Sequence, residues 1–189
     1  MKKLISATPV FFLLFIALNC KSQTDEEQKA MMAYMTPGDV HQMLAKSAGN
    51  WSAAITMWMK PGAPPSMMTG EMKNEMILGG RYLQGTNTGN MMGMPFQGIG
   101  VTGYDNAKKI FVNSWIDNFG TGIMYMEGKW DAANKMINFT GKMVDPATGK
   151  DVPIRETIKF IDDNTQKFEM YAMDQGKEYK SMEITYVRK

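Results

Sequence analysis

The chain has 189 residues, with 21 lysines and arginines, 19 aspartates and glutamates, one histidine and a formal net charge of +2. Nucleic-acid-binding proteins normally carry a basic excess or a basic stripe, whereas the lysines here are scattered among strand and turn regions. The composition therefore excludes nucleic acid as a partner, and the length suits one folded domain.

Residues 1–20 have the pattern of a secretory signal. Two lysines precede an apolar run from Pro9 to Leu18, which is too short to span a membrane, and the run ends near Cys20, the only cysteine of the chain. In bacterial lipoproteins a cysteine at this place is acylated and becomes the mature N-terminus. A single cysteine has no intramolecular disulfide partner, so lipidation of Cys20 is the expected use. The alternative is ordinary cleavage after Ser22.

The expected location is therefore the cell envelope, as a membrane-anchored lipoprotein facing the periplasm or the cell surface. Ordinary cleavage would instead give a soluble periplasmic or secreted protein. Residues 1–20 contain two lysines and no acid, so the remaining chain has equal numbers of basic and acidic side chains. Residues 21–35 are polar and acidic and then methionine-rich, which predicts a flexible tether to a domain over residues 36–189.

The stretch "TPGDVHQMLAKSAGN" predicts a short helix. Thr36 is the expected N-cap, Pro37 suits the first helical position, and Gly49 suits the stop. Three apolar residues fall on one helical face, so the helix should cover an apolar surface. They are Val40, Met43 and Leu44.

After Gly49 the apolar pattern changes to a period of two, which indicates strands. Turn signals such as "YDNAKK", "VDPATGK" and "MDQGKE" recur at strand-length intervals. The predicted strands are 50–60, 70–78, 80–88, 95–104, 108–117, 121–130, 135–143, 152–162, 165–173 and 179–188. No second helix of useful length interrupts them, which predicts an all-β antiparallel meander of about ten strands. Closure into a barrel would remove its exposed edges.

The glycine-rich stretch "GMPFQGIGVTGYDNAKKIF" raises the alternative of a phosphate-binding loop. Such a loop needs a helix N-terminus directly behind its glycines. Here a turn and another strand follow Gly103. The glycines at 98, 100 and 103 therefore favour a barrel strand that bends sharply or that a neighbour approaches closely.

The order of elements resembles the calycin superfamily of lipocalins and fatty-acid-binding proteins. The residues that carry this resemblance are a short helix, "GNW" at 49–51 and the antiparallel meander. It implies that Trp51 packs under an arginine of a late strand at the closed end of the barrel, a part that Arg188 can take. More specifically, residues 49–189 resemble a bacterial lipocalin-like family of unknown function, through "MKPGAPP", "LGGRYL", "GMPFQGIGVTGYDN", "WIDNFGTGIM", "EGKWD" and "MEITYVRK". That resemblance implies the barrel and brings no catalytic residue.

Methionine is unusually frequent, with 21 residues, several of them in pairs or in alternation. Thioethers bind Cu(I), so a copper site is one interpretation. Alternation on one strand face is typical of an apolar barrel lining, in which methionine fills irregular space or adapts to a ligand. The third interpretation is that the methionines act as a sink for oxidants.

Catalysis and metal binding have few candidates. His41 is the only histidine and lies ahead of the strands, where we expect an exposed or partly packed helix residue. A zinc site, a histidine-based triad or a bound haem would each require an imidazole inside the cavity. No Gly-x-Ser-x-Gly motif is present, so nucleophilic catalysis lacks its usual activating partner. The sequence predicts no catalytic residue, no metal site and no cofactor.

Two groups of side chains are candidate ligand contacts. Asn113, Trp115 and Asp117 share one strand face and would give the cavity an aromatic plate and a polar anchor, although Asp117 suits a strand-end cap as well. Arg81 is a candidate anchor for a carboxylate, with exposure on a strand as its alternative, and Tyr82 points the opposite way. The full predicted set is Arg81, Tyr82, Asn113, Trp115, Asp117, Met124 and Glu156.

Glu156 and Arg188 place charges on otherwise apolar strand faces. A buried charge costs several kcal/mol unless it is paired, so either the two meet each other or water and a ligand reach them. We favour a structural part for Arg188 beside Trp51.

These observations predict an exported barrel that binds a small apolar or amphipathic molecule, is no enzyme and contacts the membrane only through its lipid anchor. The alternatives are a structural or partner-binding protein with a filled barrel, an enzyme that depends on the carboxylate of Glu156 or Asp117, and a Cu(I)-binding protein.

Overall fold

The computed structural model describes residues 24–189, which form two short helices followed by a closed antiparallel barrel. The predicted signal over residues 1–20, Cys20 and the first part of the predicted tether lie outside the described residues. Among the described residues, no helix is both long and apolar enough to cross a bilayer.

The helices are α1, Asp25–Met35, and α2, Asp39–Ala45. The strands are β1 Gly49–Met57, β2 Ser66–Ile77, β3 Tyr82–Met91, β4 Met94–Asp105, β5 Ile110–Asp117, β6 Met124–Asp131, β7 Met136–Asp145, β8 Lys150–Asp162, β9 Thr165–Asp174 and β10 Lys177–Arg188. Each strand pairs with the next one in the chain, and β1 pairs with β10 to close the barrel. The predicted all-β barrel of ten antiparallel strands is confirmed.

Local sequence explains the tight connections. The β3–β4 turn at Met92-Gly93 and the β9–β10 turn at Gln175-Gly176 have positive φ at both residues, 54° and 81° in the first and 47° and 80° in the second. This is the backbone of a two-residue turn whose twist matches that of a hairpin, and glycine adopts its second position without steric cost. The turns fix the register of both hairpins.

The beginning of the chain differs from the sequence expectation. Where a flexible tether was predicted, Asp25–Met35 form a helix, because Thr24 and Glu27 cap its first turn reciprocally. None of its residues is buried. Its C-terminal end is held by Asn106, whose Nδ2 donates to the carbonyls of Ala33, Tyr34 and Thr36 at 3.1, 3.2 and 2.9 Å.

The second helix begins later than predicted. Gly38, and not Thr36, is its N-cap, and the side chain of His41 accepts a hydrogen bond from the Gly38 N–H at Nδ1, 3.1 Å away. His41 is buried against Tyr104, and burial lowers the pKa of its imidazole. The expected exposed or partly packed position of His41 is therefore wrong, since the side chain is part of the structure that holds α2.

The core lies under α2. A cluster of six buried apolar residues joins α2 to β5, β6, β7 and β8; its members are Leu44, Phe111, Met126, Ile137, Phe139 and Ile154. Val40 and Met43 pack against this cluster, as the predicted apolar face requires. The helix end of the barrel is thus filled, and we call it the closed end. The opposite end, where the β1–β2, β3–β4 and β5–β6 connections lie, is the open rim.

Candidate ligand-binding cavity

The barrel encloses a cavity of about 410 Å³. This volume lies within the range of about 300–1,000 Å³ that is usual for small-molecule sites. Most of its surface is apolar, and eight methionines contribute to it: Met57, Met68, Met72, Met91, Met124, Met143, Met170 and Met182. Alternate positions along the strands therefore supply the lining, because successive side chains of a strand point to opposite faces.

A hydrogen-bonded floor lies at the closed end of the cavity. Ser47, which follows α2, is almost fully buried and accepts at its carbonyl from Trp51 Nε1 at 3.0 Å and from Asn74 Nδ2 at 3.1 Å. Its hydroxyl accepts from Gln166 Nε2 at 2.8 Å. Three strands thereby hold the chain that leaves α2, and the buried polar atoms of the floor have partners.

Trp51 and Arg188 form the predicted pair beneath this floor. The Trp51 side chain is fully buried, and the guanidinium carbon of Arg188 lies 4.2 Å from the centre of its ring. Arg188 also donates to the carbonyls of Ala48 at 2.7 Å, Lys46 at 2.5 Å and Asp163 at 3.0 Å. The Arg188 guanidinium is therefore hydrogen-bonded to backbone carbonyls, and it forms no salt bridge with Glu156.

Glu156 occupies a different place, on the cavity wall. Its side chain is 5 % exposed, and burial alone raises the pKa of its carboxyl to about 8. Among the described residues no donor forms a hydrogen bond with it. Tyr186 also lines the cavity. Burial, and to a smaller extent the nearby charge of Glu156, raises the pKa of the Tyr186 hydroxyl. That hydroxyl donates to Asn87 Oδ1 at 3.3 Å.

An aromatic wall forms the cavity near the open rim. The Trp115 ring stacks on Phe96 with centroids 6.4 Å apart, and Phe119 lies 5.8 Å from Phe96. Trp115 Nε1 donates to Asp117 Oδ2 at 2.7 Å, and Asp117 Oδ1 accepts from the Phe119 N–H at 2.9 Å. Asp117 therefore caps the end of β5 and also fixes the orientation of the Trp115 indole.

The open rim is strongly apolar on its outside. Large apolar side chains that are at least one-third exposed surround it: Met59, Met67, Met92, Met94, Phe119, Ile123, Met143, Val144 and Met173. A ligand that enters from this end would contact apolar side chains before it reaches the cavity.

Within residues 24–189 no group of three or more histidine, cysteine, aspartate or glutamate side chains could hold a metal ion. His41 does not line the cavity.

The sequence comparisons agree with this architecture. The family model described as "Protein of unknown function (DUF1579)" matches residues 36–188. The chain belongs to the DUF1579 family. Among solved structures, that of Rv2717c from M. tuberculosis is similar with a TM-score of 0.61 and 14% identity, over 82% of this chain and 99% of that one. At this identity the similarity shows the fold alone. No curated protein sequence matches the chain.

The structure of this DUF1579 chain brings five of the seven predicted ligand contacts to the cavity: Asn113, Trp115, Asp117, Met124 and Glu156. The other two predicted contacts, Arg81 and Tyr82, lie outside the cavity, so this part of the prediction is wrong. Arg81 lies in the β2–β3 turn, where it donates to the carbonyls of Met35 at 2.7 Å and Leu78 at 3.1 Å and so holds α1. Tyr82 lies on the outer face, against Gly103. Neither lines the cavity.

The polar residues of the DUF1579 cavity that sequence reasoning missed include three inward-facing amides, Asn74, Asn87 and Gln166. Each lies at an inward position of a strand whose other inward residues are mostly apolar or small. A charged side chain on an apolar strand face indicates a site because its burial is costly, and a neutral amide gives the same indication more weakly. The same signal, applied to Asn and Gln, would have found them.

The glycines of β4 have a specific task in the DUF1579 barrel. A Cβ atom at Gly98 would lie 2.3 Å from Cζ2 of Trp115, and one at Gly100 would lie 3.2 Å from its Cε3. The indole therefore rests directly on the backbone of β4. This is the close approach predicted for these glycines, and it sets the position of the aromatic wall.

We expect Gly98→Ala to lower the free energy of unfolding by about 1–3 kcal/mol and to shift the tryptophan fluorescence, because the methyl group forces the Trp115 ring away from β4. Gly122→Ala is the matched control, since nothing lies within 4 Å of a Cβ at Gly122. Urea denaturation of both variants measures the effect. Equal stability of the two would show that the ring does not depend on this contact.

Proposed function

We propose that this chain reversibly binds one small, mainly apolar molecule in the barrel cavity. The supporting observation is a cavity of about 410 Å³ inside a closed barrel, with an apolar lining interrupted by a few polar groups. The methionines favour a lining that adapts to the shape of a flexible molecule. The floor with its Trp51–Arg188 pair, under a short helix, supports the resemblance to the calycins.

A binding experiment tests this proposal with a neutral fluorescent probe, N-phenyl-1-naphthylamine. We expect saturable binding with one site per chain and a fluorescence increase, as an apolar environment produces. Ile55→Trp fills the cavity and should weaken binding at least tenfold, whereas Thr56→Trp on the opposite face of β1 should leave it unchanged. Native mass spectrometry of the purified protein would identify a retained ligand. No saturable binding, together with a bare polypeptide mass, would favour a filled barrel that contacts a partner.

A second candidate is carboxylate-dependent catalysis. The observation that favours it is Glu156, a buried carboxyl in a cavity with a pKa near 8, which suits a general acid or base. Incubation of a retained ligand with the protein distinguishes the two functions. A carrier returns the molecule unchanged, whereas an enzyme converts it, and Glu156→Gln should then abolish conversion.

We further propose that Cys20 is lipidated and anchors the barrel in the cell envelope. The support is the lysine-containing, apolar segment before the single cysteine. Metabolic labelling with a fatty acid tests this proposal. Label on the wild-type chain that is lost in Cys20→Ser supports the anchor, and cleavage after Ser22 without label contradicts it.

A further inference from the structure

The ionisable side chains that line the cavity share one property: they are acidic. They are Asp117, Glu156 and Tyr186, and no lysine, arginine or histidine of the described residues lines the same cavity. A ligand with a carboxylate or phosphate head would find no cation there. It would also meet the repulsion of any ionised carboxyl.

Two of these acids already have partners. Asp117 accepts from Trp115 Nε1 and from the Phe119 N–H. The Tyr186 hydroxyl donates to Asn87 Oδ1. Glu156 alone has no donor among the described residues, although its side chain is 5 % exposed. Its oxygens face the cavity, which leaves them free to accept hydrogen bonds from a ligand.

The neighbours of Glu156 do not compensate its charge. Its pairing partners are Phe139 on β7 and Met170 on β9, both apolar. The titratable group that senses its charge is Tyr186 on β10, whose hydroxyl is already donated to Asn87 on β3. Tyr186 and Asn87 contribute side-chain oxygens to the cavity, and none of these four residues contributes a cation.

We infer that the cavity selects lipophilic amines, with the protonated amine of the ligand donating hydrogen bonds to the Glu156 carboxylate and the alkyl or aryl part lying along the methionine and aromatic lining. A buried charge is tolerated when it is paired and hydrogen-bonded, and an ammonium supplies both the opposite charge and up to three donors. This inference rests on the proposed binding function and names its ligand class.

Proton balance gives the inference a measurable signature. In the empty cavity the carboxyl, with its pKa near 8, is mostly protonated at pH 7, whereas a simple alkylamine has a pKa near that of lysine, about 10.4. Formation of the ion pair therefore releases the Glu156 proton to solvent. Amine affinity should rise about ninefold from pH 6 to 7 and about fivefold from pH 7 to 8, and it should level off above pH 8.

The experiment compares decylamine, decan-1-ol and decanoate, which share one alkyl chain, by titration calorimetry at pH 6, 7 and 8 in buffers of different ionisation enthalpy. We expect decylamine to bind at least tenfold more tightly than decan-1-ol at pH 8 and to release close to one proton at pH 7. Decan-1-ol should bind without proton release, and decanoate should be weakest.

Variants separate the carboxyl from the rest of the cavity. Glu156→Gln should lower decylamine affinity at least tenfold at pH 8 and remove its pH dependence, while decan-1-ol affinity stays the same. Glu75→Gln, which removes an exposed carboxylate on the outer face of β2, should keep the pH-dependent preference for the amine. Equal binding of amine and alcohol, or tighter binding of decanoate, by the wild-type protein would overturn the inference and leave the proposed function standing. No binding of any of the three would overturn both.

Discussion

Replacing Glu156 by glutamine is expected to raise the free energy of unfolding of the empty protein by roughly 4 kcal/mol at pH 8 and by less than about 1 kcal/mol at pH 5. The variant keeps the shape of the side chain and removes a carboxyl that the folded protein ionises only with difficulty. Ionisation is difficult because it would place a charge without a partner in an apolar cavity.

The sign follows from proton counting. The pKa of this carboxyl rises from 4.5 in the unfolded chain to about 8 in the folded protein. Below pH 4.5 both states hold the proton, so the group contributes no penalty. Between pH 4.5 and 8 the unfolded chain loses its proton while the folded protein keeps it, and stability falls as pH rises.

Urea denaturation of wild type and Glu156→Gln at pH 5, 6.5 and 8 measures this difference. Other titrating groups, among them His41, are common to both proteins and cancel in the comparison. Asp117→Asn is the control for removal of a cavity acid that has partners, and it should not show the pH-dependent gain. A stability difference that is the same at all three pH values would show that Glu156 is compensated in the folded protein.

The second large effect is expected at the closed end. Trp51→Ala should lower the free energy of unfolding by about 3–5 kcal/mol, because it removes a fully buried indole and leaves a cavity under the floor. It also removes the Nε1 donor of the Ser47 carbonyl and the ring under Arg188. Both losses weaken the attachment of α2 to the barrel.

Trp58→Ala gives the matched comparison, because Trp58 is a half-buried tryptophan that follows the other end of β1. Its loss should cost less than half as much. Thermal and urea denaturation of both variants measure the two effects. If the Trp51→Ala protein is as stable as the Trp58→Ala protein, Trp51 does not have the stabilising role at the closed end that we assign to it.

The alternation of apolar residues predicted most of the fold, because the period of two is a direct consequence of strand geometry. Trp51, Met57 and Ile184 lie on the inner face as that pattern requires. The strand ends were less predictable. For example, β2 begins at Ser66, four residues before its predicted start, since pairing with β1 extends it towards the rim.

The cavity was predictable only in part. Asn113, Trp115, Asp117 and Glu156 followed from alternation on their own strands. Arg81 could not be placed in the same way, because it follows a turn in which Leu78, Gly79 and Gly80 all have positive φ, and its partner is the carbonyl of Met35 in a distant segment. Likewise, the methionine content alone does not distinguish a filled barrel from an open cavity, since both need an apolar interior.

The positions of the two chain ends have a practical consequence. Asn106 and Arg81 hold the residues around Met35 beside the β2–β3 and β4–β5 turns, and Arg188 ends the last strand next to the floor. The N-terminal segment therefore joins the barrel, and the last strand ends, on the side opposite the rim. A protein attached to a bilayer, bead or sensor chip through either end would present its entrance outward to the solution, so immobilisation should leave ligand access unchanged.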